Sequence, residues 1–251
     1  MKIMTQNADL LHRGANRQKI RHLAEKIIQE NITLVAMQNV VQSLDADPIS
    51  PEMCEGQAAD EGMTDIRLDN AAAILAQALK QCGKVCSWIW LSENKLDEQH
   101  KKGSAFLSIG RRIRCVDRFA VGAVLQPVLG VQLEGMEDWF YQLSDNYWNV
   151  PKDRFQSQWK LLNCCITSKR LCSTVWLIGD FGTSVIDAQK HYDSLLAAGW
   201  SEVNAGKEVF SNIWCSCKRE ASSCVCKDHS CGELSFINQY GTVIDVKEDA
   251  L

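Results

Sequence analysis

The hydrophobic and polar positions along this chain change period from segment to segment, which predicts alternating strands and helices. Residues 2–6 alternate as a half-buried strand does, residues 17–30 carry an apolar stripe at helical spacing, and residues 32–37 form a continuous apolar run. A strand, a helix and a second strand of these lengths favour two parallel neighbouring strands joined by a right-handed crossover.

The pattern continues after a polar stretch at residues 44–65, whose Pro48 and Pro51 are typical of a surface loop. The further predicted helices are 69–82, 154–163 and 188–199, and the further predicted strands are 88–90, 105–109, 130–133 and 174–178. Gly199 suits the C-terminal cap of the last helix. Strands outnumber helices and the helices lie between them, which predicts one α/β domain over residues 1–251, built on mixed sheets.

Composition supports an ordinary globular protein. The chain has 251 residues, 46% of them hydrophobic and 23% charged, with a net charge of -4. This balance does not favour a strongly basic face, so nucleic acid is not expected as a partner. Residues 1–7 are too polar for a secretory signal, and no apolar run approaches the roughly 18 residues that cross a membrane. A cytoplasmic protein without membrane contact is therefore expected.

The twelve cysteines are scattered and then bunched towards the C-terminus. In a cytoplasmic chain that can build its own core, most cysteines are expected to be reduced, buried and apolar in character. The stretch 213–232 is interpreted as a Cys-rich insertion or loop. Its candidate zinc ligands are Cys215, Cys217, Cys224 and Cys226, with His229 and Cys231 close by. The C-x-C spacing is tighter than that of most structural zinc sites, so a reduced loop or a disulfide stays open as the alternative.

Several segments, in order, resemble the endonuclease/exonuclease/phosphatase (DNase I-like) family. They are MKIMTQN, ITLVAMQNVV, GSAFLSI, VLGVQL, WFYQLSDNYWN, VWLIGDFG and YDSLLAAGW. The resemblance covers roughly residues 1–200 and is closest to bacterial sugar-phosphate phosphatases of that family. It implies a four-layer α/β/β/α sandwich with mixed sheets and outer helices. The family's closing Ser-Asp-His motif is absent before Leu251, which allows for a missing last strand and a sheet edge open to oligomerisation.

Family members hydrolyse phosphate esters with a divalent metal, usually Mg²⁺, and the resemblance assigns roles to two residues. Asn7 matches the first-strand Asn that lies beside the metal and the phosphate. Asp180 matches the Asp of the Gly-Asp-Phe-Asn motif, which helps to activate the attacking water. Both residues point to the vicinity of the family's active site.

Other positions depart from the family pattern. Asn39 stands where the family has its metal-binding Glu, so this ligand position keeps an oxygen but loses the charge. Ser144 falls at a catalytic His, Gly182 at the Asn that follows Asp-Phe, and Ser235 at a late Asp. These degenerate positions predict little or no hydrolysis by the family mechanism, since single acid–base losses already cost about 10²–10⁴-fold in rate.

Three functional hypotheses follow. The first is a degenerate family member that binds a protein partner or a phosphorylated ligand, with Mg²⁺ as the cofactor if there is one. The second is an active Mg²⁺-dependent phosphoesterase, either a sugar-phosphate phosphatase or a nuclease, whose missing groups come from His12, His191 or Glu93. The third is a scaffold whose Cys-rich stretch binds zinc or a partner. The basic stretches 100–102 and 111–114 are more typical of a solvated strand flank than of an anion- or nucleic-acid-binding edge.

Overall fold

A computed structural model defines the order of strands and helices. It describes residues 1–8, 17–58, 65–121, 126–143, 152–180, 193, 195–202, 211–216, 232–233 and 241–245. The strands are β1 (Lys2–Asn7), β2 (Leu34–Ser43), β3 (Cys86–Lys95), β4 (His100–Ile109), β5 (Ile113–Val121), β6 (Gln126–Leu133), β7 (Trp139–Leu143), β8 (Val175–Asp180), β9 (Ser201–Glu202), β10 (Ser211–Ser216), β11 (Gly232–Glu233) and β12 (Gly241–Asp245). The helices are α1 (Arg17–Gln29), α2 (Ala71–Gln81) and α3 (Lys152–Cys172).

These strands form two six-stranded sheets. The first has the order β11-β12-β1-β2-β4-β3 and the second the order β5-β6-β7-β8-β10-β9. In each sheet one central pair is parallel, β1 with β2 and β7 with β8, and the other neighbours are antiparallel. The strand–helix–strand unit predicted at the start of the chain is therefore confirmed, and both sheets are mixed.

Three apolar clusters define four layers. The inner faces of the two sheets meet in one cluster, which includes Ile3 and Phe106 from the first sheet and Phe140 and Trp176 from the second. A second cluster joins α1 and α2 to the outer face of the first sheet. A third joins α3 and the segment around Leu195 to the outer face of the second. The predicted α/β/β/α sandwich is thus confirmed.

The first strand lies inside its sheet. On one side β1 pairs with β2, and on the other it pairs with β12, from Lys2 opposite Asp245 to Gln6 opposite Gly241. In the part of the chain that the structure describes, the outermost strands are β11 and β3 in one sheet and β5 and β9 in the other. The sequence allowed for a missing last strand, and the structure shows that β12 covers β1.

One strand and one helix are longer than the apolar patterns in the sequence predicted. The second strand was predicted to end at residue 37, but β2 continues to Ser43 because its polar side chains are buried and hydrogen-bonded. Gln42 accepts from Arg67 N at 3.1 Å and from Asn70 Nδ2 at 3.0 Å. The third helix reaches Cys172, whereas the prediction stopped at residue 163. Hydrophobic periodicity underestimates an element wherever its ends are polar.

The basic stretches are parts of strands and are not merely flanks. His100, Lys101 and Lys102 open β4, where they pair with Ser43, Gln42 and Val41 of β2. Ile113 and Arg114 begin β5, a strand that the sequence pattern did not predict. The ladder therefore extends into both stretches, while Arg112 and Arg114 are exposed, as expected of a solvated strand flank.

The end of the last predicted helix follows expectation. Residues 195–197 are helical, and Gly199 follows with a φ of 79°. The amide of Trp200 then donates to Leu195 O at 3.1 Å, across the turn that Gly199 makes. This is the left-handed cap predicted for Gly199. Among the described residues, no helix is both long and apolar enough to cross a membrane.

The cysteines differ from expectation in their exposure. The six described as free are Cys54, Cys86 and Cys115, which are half-buried, and Cys82, Cys164 and Cys165, which are exposed. The expectation that most cysteines are buried was therefore wrong for Cys82, Cys164 and Cys165, and it holds only in part for the three half-buried cysteines. Among these six, Cys86 has the thiol with the strongly shifted pKa, because burial raises it to about 12.

Thiol labelling should separate Cys86 from Cys82. At pH 9 only about one Cys86 thiol in a thousand is ionised if its pKa is about 12. Cys82 is exposed four residues earlier in the chain. Peptide mapping after iodoacetamide treatment should show Cys82 modified well before Cys86, and the two should become alike in 8 M urea. Equal rates in the folded protein would contradict the burial of Cys86.

Asn70 joins α2 to β2. Its side-chain oxygen accepts from the amides of Ala72 and Ala73, which caps the helix, and its Nδ2 donates to Gln42 Oε1. Asn70→Ser should keep the cap and lose the bond to Gln42, at about 1 kcal/mol of unfolding free energy. Asn70→Ala should lose both, at about 2 kcal/mol in total. Urea unfolding measures the two variants, and equal stabilities would show that the cap contributes nothing.

Candidate functional site

The carboxyl ends of the two parallel pairs lie together at one end of the sandwich. In the first sheet these are the ends of β1 and the middle of β2, where Asn7 pairs with Gln38. In the second sheet they are the ends of β7 and β8, where Leu143 pairs with Gly179. A hydrogen bond between the sheets, from Gln142 Nε2 to Met37 O, brings these two places into contact. The polar residues here form the candidate site.

A bulge in β2 shapes the site. Met37 pairs with Ala105 and Val40 pairs with Gly103, so Gln38 and Asn39 together face the single residue Ser104. Asn39 takes the left-handed conformation, with a φ of 56°. Asparagine tolerates this region better than most residues do, because its short polar side chain adds little steric cost. The bulge turns a run of strand residues into a fixed corner at position 39.

Asn39 and Asn7 form an amide pair inside this corner. Asn39 Nδ2 donates to Asn7 Oδ1 at 3.1 Å. Asn39 is buried, with only 2% of its surface exposed. Asn39 Oδ1 is buried and has no hydrogen-bond partner. The structure thus brings together two of the predicted site residues, and it leaves an amide oxygen of Asn39 without a donor.

Gln142 is a site residue that the sequence analysis missed. It is 1% exposed in β7, and its neighbour two positions earlier, Phe140, belongs to the inter-sheet core. Alternation therefore turns Gln142 towards the first sheet, where its Nε2 reaches Met37 O. Its Oε1 is buried without a partner. The sequence WFYQL does indicate this residue, because Gln142 alternates with the inward-facing Phe140 and is polar. The family resemblance instead directed attention to Ser144.

Thr5 and Gln38 lie beside this corner and are satisfied by each other. Thr5 Oγ1 donates to Gln38 Oε1 at 3.2 Å, and Gln38 Nε2 donates to Ala36 O at 3.3 Å. Both side chains are fully buried. Because their groups bond within the protein, we interpret them as supports of the bulge that do not bind ligand.

Glu93 approaches the site from the other side of the bulge. It occupies the irregular position between Ser92 and Asn94 in β3, and it accepts a hydrogen bond from Ser104 Oγ. Ser104 is the residue that faces Gln38 and Asn39 across the β2–β4 ladder. A carboxylate therefore lies one strand away from the bulge, and Glu93 was one of the three residues predicted to replace missing groups.

Arg118 places a cation on the inter-sheet side of the second sheet. Val116, two residues earlier in β5, packs on the inter-sheet core, so alternation puts Arg118 on the same face. Arg118 pairs with Leu129, which in turn pairs with Gln142. Burial lowers the pKa of the Arg118 guanidinium from its usual value, but such a group stays charged at neutral pH.

Two glycines of the resemblance mark close backbone approaches beside the site. A Cβ at Gly179 would lie 1.9 Å from Leu143 O, and one at Gly103 would lie 2.1 Å from Leu91 O. Neither position admits a side chain without moving a neighbouring strand. The glycine of Gly-Asp-Phe therefore lets β7 and β8 close together directly before Asp180.

The remaining predicted residues are distributed as follows. Asp180 ends β8, where its backbone pairs with Ser211. Cys215 lies in β10, opposite Trp176 and Ser201, so the Cys-rich stretch begins inside a sheet and not in a loop. The predicted residues outside the described part of the chain are Ser144, Gly182, Ser235, Cys217, Cys224, Cys226, His12 and His191. Within the described part, no three His, Cys, Asp or Glu side chains are grouped to hold a metal.

The described site fits Mg²⁺ in its atoms but not in its charge. Asn39 Oδ1 and Gln142 Oε1 are buried amide oxygens without donors, and oxygen is the ligand atom that Mg²⁺ selects. Both groups are neutral, however, and an Asn occupies the position where the family resemblance implies a metal-binding Glu. The carboxylate of Glu93, one strand away from the bulge, accepts a hydrogen bond from Ser104.

Comparison with known proteins supports the fold. No protein-family model matches the chain, and no curated protein matches it. Among solved structures, an endonuclease/exonuclease/phosphatase family protein from Leptotrichia buccalis has a TM-score of 0.77 at 18% identity, covering 99% of this chain and 100% of its own. The mannosyl-6-phosphatase of Bacteroides thetaiotaomicron has a TM-score of 0.61 at 12% identity, covering 99% and 100%. The human Nocturnin catalytic domain with bound sulfate has 0.61 at 10%, covering 98% and 93%.

These likenesses establish the architecture. The chain has the endonuclease/exonuclease/phosphatase (DNase I-like) fold over nearly its whole length. At such identities the comparison concerns the fold alone, so the activity has to be argued from the site itself.

Substitutions at Asn39 should separate its backbone role from its side-chain role. Asn39→Ala should cost about 1 kcal/mol more unfolding free energy than Asn39→Gly, because alanine is strained in the left-handed region. Asn31 is a matched control: it has the same φ of 56° and is exposed at the end of α1. The Ala–Gly difference at position 31 should be similar. Urea unfolding of the four variants tests this, and equal stability of Asn39→Ala and Asn39→Gly would contradict the bulge geometry.

Proposed function

We propose that this protein binds a phosphorylated small molecule at the end of its sandwich and hydrolyses it slowly or not at all. The observation that carries the proposal is the amide pair between Asn39 and Asn7. Where the family resemblance implies a carboxylate aimed at a metal, a neutral amide donates a hydrogen bond to its neighbour. The site lies in a framework with the family's fold, and its amides at positions 7 and 39 are neutral.

The argument against efficient hydrolysis is electrostatic. Metal-assisted phosphoryl transfer depends on a cation held rigidly against the phosphoryl oxygens and the attacking water. A carboxylate supplies most of the attraction that fixes such a cation, and an amide at position 39 supplies none. The departures at Ser144 and Ser235 remove further groups, although losses within one catalytic unit do not add.

The argument for a phosphorylated ligand rests on charge and on the relatives of the fold. Arg118 stands in the same cross-strand row as Gln142, and Lys101 and Lys102 extend β4 beyond Ser104. Cationic side chains near a group of polar residues attract phosphate. Among structures of the same fold, one is a mannosyl-6-phosphatase and another holds a sulfate anion. A sugar phosphate is accordingly the ligand class that we favour.

A binding and turnover assay tests the proposal. Mannose 6-phosphate should bind in the presence of Mg²⁺ in a calorimetric titration, and mannose should not. Phosphate release from this compound and from a generic phosphodiester, with Mg²⁺ or Mn²⁺, should not exceed that of Asp180→Ala. Turnover that disappears in Asp180→Ala would overturn the claim of slow or absent hydrolysis. Failure of sugar phosphates and inorganic phosphate alike to bind would overturn the claim of a phosphate site.

An active phosphoesterase is the second candidate, and the contact between Glu93 and Ser104 favours it. This contact puts a carboxylate one strand from the bulge, where it would replace the charge missing at position 39. The two candidates separate on one variant: Glu93→Gln should abolish metal-dependent turnover in an active enzyme. In a binding protein it should leave the binding of mannose 6-phosphate in place.

A further inference from the structure

Two clefts flank the last turns of α2, on the helix-covered face of the first sheet. The first, of about 160 Å³, lies between α1 and α2 and is lined by Arg17, Arg21, Ile74, Gln77, Ala78 and Gln81. The second, of about 370 Å³, is lined by Ser50, Glu52, Met53, Gln77, Lys80 and Gln81. Gln77 and Gln81 line both clefts, so a ligand that fills both passes over these two side chains. Neither cleft includes a residue of the candidate site.

The first cleft has two arginine side chains whose charge the protein does not neutralise. Arg17 and Arg21 are one turn apart on α1, and both are exposed. The carboxylate one turn further along, that of Glu25, lies 3.1 Å from His22 Nδ1. Among the described residues, neither arginine has a hydrogen-bond or ion-pair partner. Like charges one helical turn apart repel each other, and an anion between them removes that repulsion.

The other walls of the first cleft indicate what accompanies the anion. Ile74 is half-buried and Ala78 is buried, so they supply an apolar surface. Gln77 and Gln81, one turn apart on α2, have no side-chain hydrogen bond within the described part of the chain. A carboxamide both donates and accepts hydrogen bonds, and an extended peptide backbone offers the matching groups. An acidic residue within a peptide thus satisfies the charge, the apolar surface and the carboxamides, whereas free phosphate satisfies only the charge.

The second cleft has a different charge. Lys80 forms an ion pair with Glu55 there, and Glu52 lines the same cleft. A side-chain hydrogen bond from Ser50 is the main cause that lowers the pKa of Glu52, so this carboxylate is ionised at neutral pH. A segment that leaves the first cleft across α2 therefore meets a carboxylate and the adaptable side chain of Met53. These neighbours favour an apolar or basic residue at that end of the segment.

We propose that the two clefts together bind an extended acidic segment of a protein partner. A carboxylate of the segment lies between Arg17 and Arg21, whose guanidinium groups match its two oxygens. The backbone of the segment crosses Gln77 and Gln81, and a neighbouring apolar or basic residue enters the second cleft beside Met53. This surface is separate from the candidate site, and the proposal does not depend on phosphate binding there.

A random octapeptide library displayed on phage and selected on the immobilised full chain tests this surface. Retained peptides should be enriched in Asp or Glu at one position, with an apolar or basic residue close by. The best-retained peptide, labelled with fluorescein, then gives a dissociation constant by anisotropy, and its affinity should fall as NaCl is raised. Selection without any preference for acidic residues would refute the proposal.

Single substitutions on α1 identify the residues that bind the carboxylate. Arg21→Gln should weaken the selected peptide by about tenfold or more, because a charge-assisted pair is lost. Arg21→Lys keeps the charge without the planar fork, so its affinity should lie in between. Lys19→Gln is the matched control, since it removes the same charge from an exposed position of α1 that does not line the cleft. Equal losses for Lys19→Gln and Arg21→Gln would mean general charge attraction and would contradict the proposal.

The carboxamides distinguish a peptide from a small anion. The double variant Gln77→Ala and Gln81→Ala keeps good helix formers on α2 and should weaken the peptide, while urea unfolding shows that the fold is intact. If the peptide binds this variant as well as the wild type, or if equimolar inorganic phosphate displaces it, the first cleft is a simple anion site and the proposal is wrong. Mannose 6-phosphate should bind Arg21→Gln and the wild type alike, so the proposed function stands or fails separately.

Discussion

Gln142 crosses from the second sheet to the first and donates its amide hydrogen to Met37 O, at the point where β2 leaves its regular register. Two packed sheets meet mainly through apolar side chains, which slide past one another with little directional preference. A buried hydrogen bond has direction, and in a low-dielectric interior it strongly disfavours any arrangement that breaks it. This contact therefore sets the relative position of the parallel pairs at the end of the sandwich, where the candidate site lies.

The bulge explains how the same fold can hold a site of different chemistry. With φ at 56°, Asn39 turns its side chain towards β1 and binds Asn7. Asparagine both tolerates the conformation and satisfies one partner, so the corner remains ordered without a metal. The neutral pair keeps the architecture and gives up the negative charge. This neutral pair is the reason why we propose binding ahead of catalysis, because electrostatic stabilisation by fixed charges is a major part of phosphoryl-transfer catalysis.

The buried polar side chains around the bulge differ in how many of their hydrogen bonds are made within the protein. Thr5 and Gln38 use their hydrogen-bonding capacity on each other and on the backbone, as buried polar groups in a stable interior usually do. Asn39 and Gln142 use only their donors and keep an oxygen each. The two pairs therefore differ in how completely their side chains are hydrogen-bonded within the protein.

The sequence by itself determined most of the architecture. The apolar stripe of α1 and the continuous run of β2 were sufficient for an α/β protein with mixed sheets, because burial imposes the period of each element. The four-layer sandwich followed from the order of the family-like segments. Asn7 and Asn39 were also singled out from the sequence, because the family resemblance matches them to positions beside the metal and the phosphate. Tertiary structure alone decided that these two amides bond, that β2 bulges between Met37 and Val40, and that Gln142 reaches across the sheets. Those contacts join residues 32 to 105 positions apart, and the period of a single strand carries no information about which distant strand will face it.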